Sequence, residues 1–121
     1  MKSVTSSAEN AVLSKAFIRA GEGLGLNDTD LSAVLGEQVS TVLRLRHEHE
    51  LLELSTDARS RAILLVELYL SLLALAGTEQ NAKIWLNSEN RNLSGRPRDL
   101  IACRAGLEQV IQYLAANRSL I

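Results

Sequence analysis

Apolar side chains recur at helical spacing through most of the chain, and a few polar or glycine-bearing points interrupt them. Residues 1–7, MKSVTSS, are polar, and Ser6 or Ser7 can cap a helix starting there. Val12, Leu13, Ala16, Phe17 and Ala20 then fall three and four apart, which predicts an amphipathic helix from Ala8 to about Gly21, stopped by glycines 21, 23 and 25. From Leu24 the chain reads LGLNDTDLSAVLGEQVSTVLRLR. Asn27, Asp28 or Thr29 can cap a short helix with Leu31, Val34 and Leu35 inward, Ser32 is small enough for a close helix crossing, and Gly36 supplies the turn. Val39, Val42 and Leu43 are expected to anchor a second helix, which leaves Gln38, Ser40, Thr41, Arg44 and Arg46 facing outward.

Residues 46–56, RHEHELLELST, form a charged connector or an extension of that helix. Thr56 or Asp57 then caps the longest predicted helix, which runs to about Ala76 and ends at Gly77. Leucines 64, 65, 68, 70, 72, 73 and 75, with Ile63, Val66 and Tyr69, cover nearly its whole circumference. A helix apolar all round is buried all round, so it reads as a spine joining both halves, with self-association covering what one short chain cannot. Thr78 caps a further helix to about Leu86 that carries Ala82, Ile84 and Trp85. Asn87, Ser88, Asn90, Asn92, Ser94 and Gly95 break the pattern, because Asn and Ser bond their own backbone and Gly accepts left-handed geometry. Pro97 opens a helix to about Cys103, Gly106 reads as a second stop, and a last helix extends to about Ala116.

Composition narrows the function more than the fold. The 121 residues are 46% hydrophobic but only 3% aromatic, so Leu, Ile, Val and Ala must build the core of one domain, or of two small ones that share it. Formal net charge is −1, which is no whole-chain signature of nucleic-acid binding. The charge is uneven: residues 1–56 carry five Lys/Arg against eight Asp/Glu, whereas 57–121 carry eight against six. Cys103 is the single cysteine, so no internal disulfide or cysteine-based zinc site forms, which suits a reducing compartment. No secretory signal is visible. The longest apolar run, Ala62 to Ala76, is interrupted by Glu67 and falls short of the roughly 20 residues a bilayer requires, so no membrane association and a cytoplasmic location are expected.

Candidate chemistry is sparse. His47 and His49 lie about 200° apart on a helix and have no further ligand, so no metal site is expected. Glycines 21, 23 and 25 follow no strand and do not make a phosphate loop. Glu67 and Glu108 lack a second group for acid/base work. The sequence argues against an enzyme and asks for no cofactor.

Ala82, Trp85, Leu86, Asn90, Leu93, Gly95, Arg96, Pro97, Leu100, Ile101, Gly106, Val110 and Leu114 resemble the pattern of the C-terminal toxin-binding domain of the Xre/MbcA/ParS antitoxins. The family usually has Pro where Glu89 stands and often Gly where Ser94 stands. The stretch from Leu24 to Arg46 resembles a helix-turn-helix of the Xre type. The resemblance implies an all-α fold of about six helices, with a DNA-binding region at 1–56 and a toxin-binding domain at 57–121. It further implies an antitoxin of a type II toxin–antitoxin system whose partner carries an RES domain acting on NAD, and which represses its own operon together with that partner. Gln38, Ser40, Thr41, Arg44 and Arg46 are the expected DNA contacts, set against an acidic N-terminal half and Glu37 at a turn position usually apolar. The toxin contacts expected are Trp85, Asn90, Gly95, Arg96, Arg98 and the tail Arg118, Ser119, Leu120 and Ile121, whose carboxylate and apolar side chains suit a phosphate-accepting cleft. A homodimer is expected. The rival reading is a free-standing transcriptional regulator with a C-terminal dimerisation half, and a neighbouring reading frame encoding an RES-like protein distinguishes the two.

Overall fold

Leu65, Leu68 and Leu72, about one helical turn apart on the longest apolar stretch, have no solvent exposure, and the fold is built around them. The computed structural model describes residues 7–47 and 54–117. Among these there are seven helices and no strand: α1 (Ser7–Leu24), α2 (Asp28–Leu35), α3 (Val39–His47), α4 (Thr56–Ala76), α5 (Glu79–Asn87), α6 (Pro97–Leu100) and α7 (Arg104–Ala116). Helix α4 packs on α1, α2, α5 and α7, while α3 rests on α1 and α2, and α6 bridges α5 and α7. Both halves therefore share a single core, to which Phe17, Leu24, Leu31, Leu35, Leu45, Leu86, Ile101 and Leu107 also contribute. Each such leucine contributes about 1.5–3 kcal/mol through burial. No single described helix is long and apolar enough to cross a membrane.

Local chemistry sets most boundaries. Asn27 caps α2 in a capping box: its Oδ1 accepts from the Asp30 N–H at 2.8 Å, and Asp30 Oδ2 accepts from the Asn27 N–H at 2.9 Å. Gly36, at φ +70°, closes α2 in the left-handed conformation the turn demands. Thr78 caps α5 through the Asn81 N–H at 3.1 Å. Helix α4 is capped one residue earlier than expected, by Ser55, whose Oγ accepts from the Ala58 N–H at 3.1 Å.

Tertiary packing overrides other expectations. Gly21 and Gly23 do not stop α1, which continues to Leu24 before Gly25 ends it. A Cβ on Gly23 would lie 2.4 Å from the Tyr69 ring, so this glycine allows α4 to approach. Gly106 is likewise inside α7 and not a break, because a Cβ there would lie 1.9 Å from the Leu100 carbonyl oxygen; the actual break falls between Leu100 and Arg104. The described residues hold seven helices where about six are expected, and the division of α6 from α7, expected at Gly106, falls at residues 101–103. In α3 the core is met by Val42 and Leu45, three residues apart, while Val39 and Leu43, expected as anchors, are 38% and 45% exposed. Nor is α4 covered on every side, since Ile63 and Leu70 remain open.

Candidate functional site

Two surfaces carry the candidate residues. The first is the open face of α3. Gln38 precedes the helix and accepts from the Thr41 N–H at 3.0 Å through its carbonyl, which fixes the first turn. Gln38, Ser40 and Arg44 are exposed and Thr41 half-buried. Val39 and Leu43 lie among them, so the face combines polar groups able to reach base edges and phosphates with apolar groups able to meet a thymine methyl. Arg44 has no ion-pair partner among the described residues. Arg46 is placed differently. Its Nη2 and Nε donate to Asp28 Oδ1 at 2.6 and 3.0 Å, and Glu22 lies 3.7 Å away, so it ties α3 to the start of α2.

The second surface is built from α5, the loop at 88–96, and the faces of α6 and α7 beside it. The loop is closed by a pair of backbone bonds: the Asn90 N–H donates to Gly95 O at 2.9 Å, and the Gly95 N–H donates to Asn90 O at 3.2 Å. Asn90 Oδ1 also accepts from the Leu93 N–H at 3.1 Å, and this turns Leu93 into the core. The chain must reverse within residues 91–94, inside this bridge, and Ser94 does so at φ +60°. Glu89, Asn90, Arg91, Ser94 and Gly95 line a concavity on the outer side. Trp85 is half-buried and stacks on Tyr113 with ring centroids 6.1 Å apart, and the Tyr113 hydroxyl meets Asn92 at 3.4 Å. Trp85 thus serves the core and the surface together.

Arg96 and Arg98 part ways. Arg96 turns to Asp99, with contacts of 3.1 and 3.2 Å, at the exposed start of α6. Arg98 reaches back across the molecule, where its Nη2 donates to Asp30 Oδ2, and its Nη1 to Asn87 Oδ1 at 2.9 Å and Gly25 O at 3.4 Å. One carboxylate oxygen therefore both completes the capping box of α2 and holds α6. The tail residues Arg118, Ser119, Leu120 and Ile121, and His49, lie outside the described residues.

A further polar cluster joins α1, α4 and α5. Glu79 Oε2 accepts from the Tyr69 hydroxyl at 2.5 Å and from Arg19 Nη2 at 2.6 Å. The Tyr69 hydrogen bond, followed by that of Arg19, holds the Glu79 carboxyl below the ordinary glutamate range. The same bond, with partial burial, raises the Tyr69 phenol. Neither this cluster nor the Arg98–Asp30 pair has a local signature: their partners are far apart in sequence, and only the helix arrangement brings them together. No group of His, Cys, Asp and Glu able to hold a metal occurs among the described residues.

Two family descriptions match the chain. Residues 3–67, more than half of the chain, match the family described as the antitoxin Xre-like helix-turn-helix domain. Residues 71–119 match the antitoxin Xre/MbcA/ParS C-terminal toxin-binding domain. No individual curated protein matches the chain. With a capped helix-turn-helix at one end and the closed 88–96 loop at the other, the chain belongs to the Xre family of type II antitoxins, joining a DNA-binding helix-turn-helix to a toxin-binding domain.

Proposed function

We propose that the chain neutralises an NAD-consuming toxin of the RES type by covering its active site, and that the complex represses the operon encoding both. The observation that carries this reading is the match of the toxin-binding domain to residues 71–119, within which Trp85, Asn90, Gly95 and Arg96 lie half-buried in and beside the 88–96 loop. The division of labour falls near residue 56, with 1–56 contacting the operator and 57–121 the toxin. Gln38, Ser40, Thr41 and Arg44 contact DNA from the open face of α3. Arg46 and Arg98 act first within the chain, holding α2. The tail, Arg118, Ser119, Leu120 and Ile121, enters the toxin's cleft, where cationic groups that receive NAD phosphates take the terminal carboxylate. The antitoxin works in the cytoplasm as a homodimer, because a helix-turn-helix reads two half-sites most strongly from a two-fold pair.

Co-expression with the neighbouring toxin frame tests this, with growth and cellular NAD as readouts. The full chain restores both, and a chain lacking residues 118–121 keeps its thermal midpoint but leaves NAD depleted. Complete protection by the truncated chain refutes the plug, and failure of the full chain to protect refutes the RES reading. In gel shifts of the toxin complex, Arg44→Ala weakens operator binding by about 1–3 kcal/mol; equal affinity removes α3 from the DNA interface.

A further inference from the structure

Helix α4 packs against α1, α2, α5 and α7, and along its seam with α1 lies an open apolar groove of about 460 Å³. Three large apolar side chains stand out of it: Val12 of α1 at 68% exposure, and Ile63 and Leu70 of α4 at 45% and 58%. Scattered exposed hydrophobics are ordinary, but three on one groove make a contiguous patch of the kind that marks an interface. The groove also carries three charges: Glu9 at its α1 edge, and Arg59 and Glu67 of α4, placed four residues before and four after Ile63. Arg59 gives one nitrogen to Asn10 at 3.2 Å, and Glu67 has no ion-pair partner among the described residues.

That placement is self-complementary. In a two-fold contact, if residue i of one copy meets residue j of the other, j also meets i. If two α4 helices cross antiparallel with Ile63 at the axis, Arg59 and Glu67 stand about 6 Å to either side of it. Each Arg59 then faces the other copy's Glu67, twice, around a pair of isoleucines. Sliding the axis midway between Ile63 and Leu70 instead brings the two Glu67 carboxylates together, which opposes that register. We propose that the α1–α4 groove is the dimer interface, its occupant a second copy of this chain seated antiparallel about Ile63. The inference rests on the homodimer proposed above and adds its surface and register.

Sedimentation velocity of the full chain tests it. The wild type sediments as a dimer. Glu67→Arg, which sets Arg59 against a second cation at both contacts, raises the dimer dissociation constant by on the order of 10- to 100-fold, with helicity by circular dichroism unchanged. The double exchange Arg59→Glu with Glu67→Arg restores the dimer. Ile63→Asp gives a monomer. A wild-type dimer that Glu67→Arg and Ile63→Asp both leave intact overturns the assigned surface while the homodimer stands. A wild-type monomer overturns the homodimer and the surface with it. A wild-type monomer whose Glu67→Arg variant loses toxin binding assigns the groove to the toxin, and likewise overturns the proposal.

Discussion

Replacing Arg98 with Ala removes a side chain that ties α6, in the toxin-binding half, to the first turn of α2. In the folded chain the guanidinium serves Asp30, Asn87 and the Gly25 carbonyl, and Arg98 and Asp30 keep only 23% and 27% of their side-chain exposure. A fully exposed ion pair contributes about 0.2–1 kcal/mol, and a hydrogen bond to a charged group about 1.5–3 kcal/mol. The pair lies between these limits. The expected loss for Arg98→Ala is about 2 kcal/mol, of which about 1 kcal/mol is coupling to Asp30. Asp30→Asn is the matching change, because it removes the charge yet keeps an oxygen that can accept from the Asn27 N–H. Urea unfolding of the wild type, both single variants and the double variant, followed by far-UV circular dichroism, gives the coupling directly. Unchanged denaturant slopes keep the comparison valid. A coupling within about 0.3 kcal/mol of zero refutes the clamp, since that is the size of ordinary non-additivity between independent sites.

Three other outcomes rest on single positions. Gly106→Ala forces a Cβ toward the Leu100 carbonyl oxygen, 1.9 Å away, and so lowers stability by about 3 kcal/mol; an unchanged urea midpoint contradicts the close approach of α6 and α7. Ser94→Gly relieves a non-glycine residue at φ +60° and raises stability by about 0.5–1 kcal/mol, measured the same way, with a loss counting against the turn geometry. Glu79 has a folded-state pKa below its unfolded value, so its contribution is present at neutral pH and lost as pH falls below the ordinary glutamate range through the depressed value. The thermal midpoint of Glu79→Gln therefore falls less steeply than that of the wild type on acidification, and parallel curves refute the assignment.

What the sequence makes legible is local. The Thr78 cap, the turn at Gly36 and the stop at Gly77 each rest on residues within a turn of one another, so the local sequence points to them, whereas Asn27 is one of three caps the sequence offers for α2 and Ser55, not Thr56 or Asp57, caps α4. Glycine is ambiguous from sequence because it serves two needs. At Gly25 and Gly36 it supplies a positive φ, whereas at Gly23 and Gly106 it makes room for a neighbour distant in the chain or across a break, and only the fold separates these cases. The same holds for arginines. Arg44, Arg46, Arg96 and Arg98 look alike beside their helices, yet Arg46 and Arg98 are engaged with Asp28 and Asp30, whose proximity depends on the whole bundle. In the C-terminal half, the turn-forming residues at Asn90 and Gly95 are legible and the structure joins them in one closed loop, while the partnership of Trp85 with Tyr113 has no local signal.

The placement of α4 has a thermodynamic consequence for an antitoxin. The helix-turn-helix match ends at residue 67 and the toxin-binding match begins at 71, both inside α4, so neither half owns the helix that buries Leu65, Leu68 and Leu72. Removing either half exposes those leucines. A toxin that binds the folded C-terminal half thereby stabilises the N-terminal helices too, by about 4 kcal/mol at a thousandfold excess over its dissociation constant. DNA bound by the folded helix-turn-helix stabilises the C-terminal half by the same linkage, without any movement between them. The Arg98–Asp30 pair adds a direct contact to this shared core, since the oxygen that grips α6 also completes the capping box of α2, the first helix of the helix-turn-helix. Loss of toxin therefore withdraws that stabilisation from the helix-turn-helix as well as from the C-terminal half.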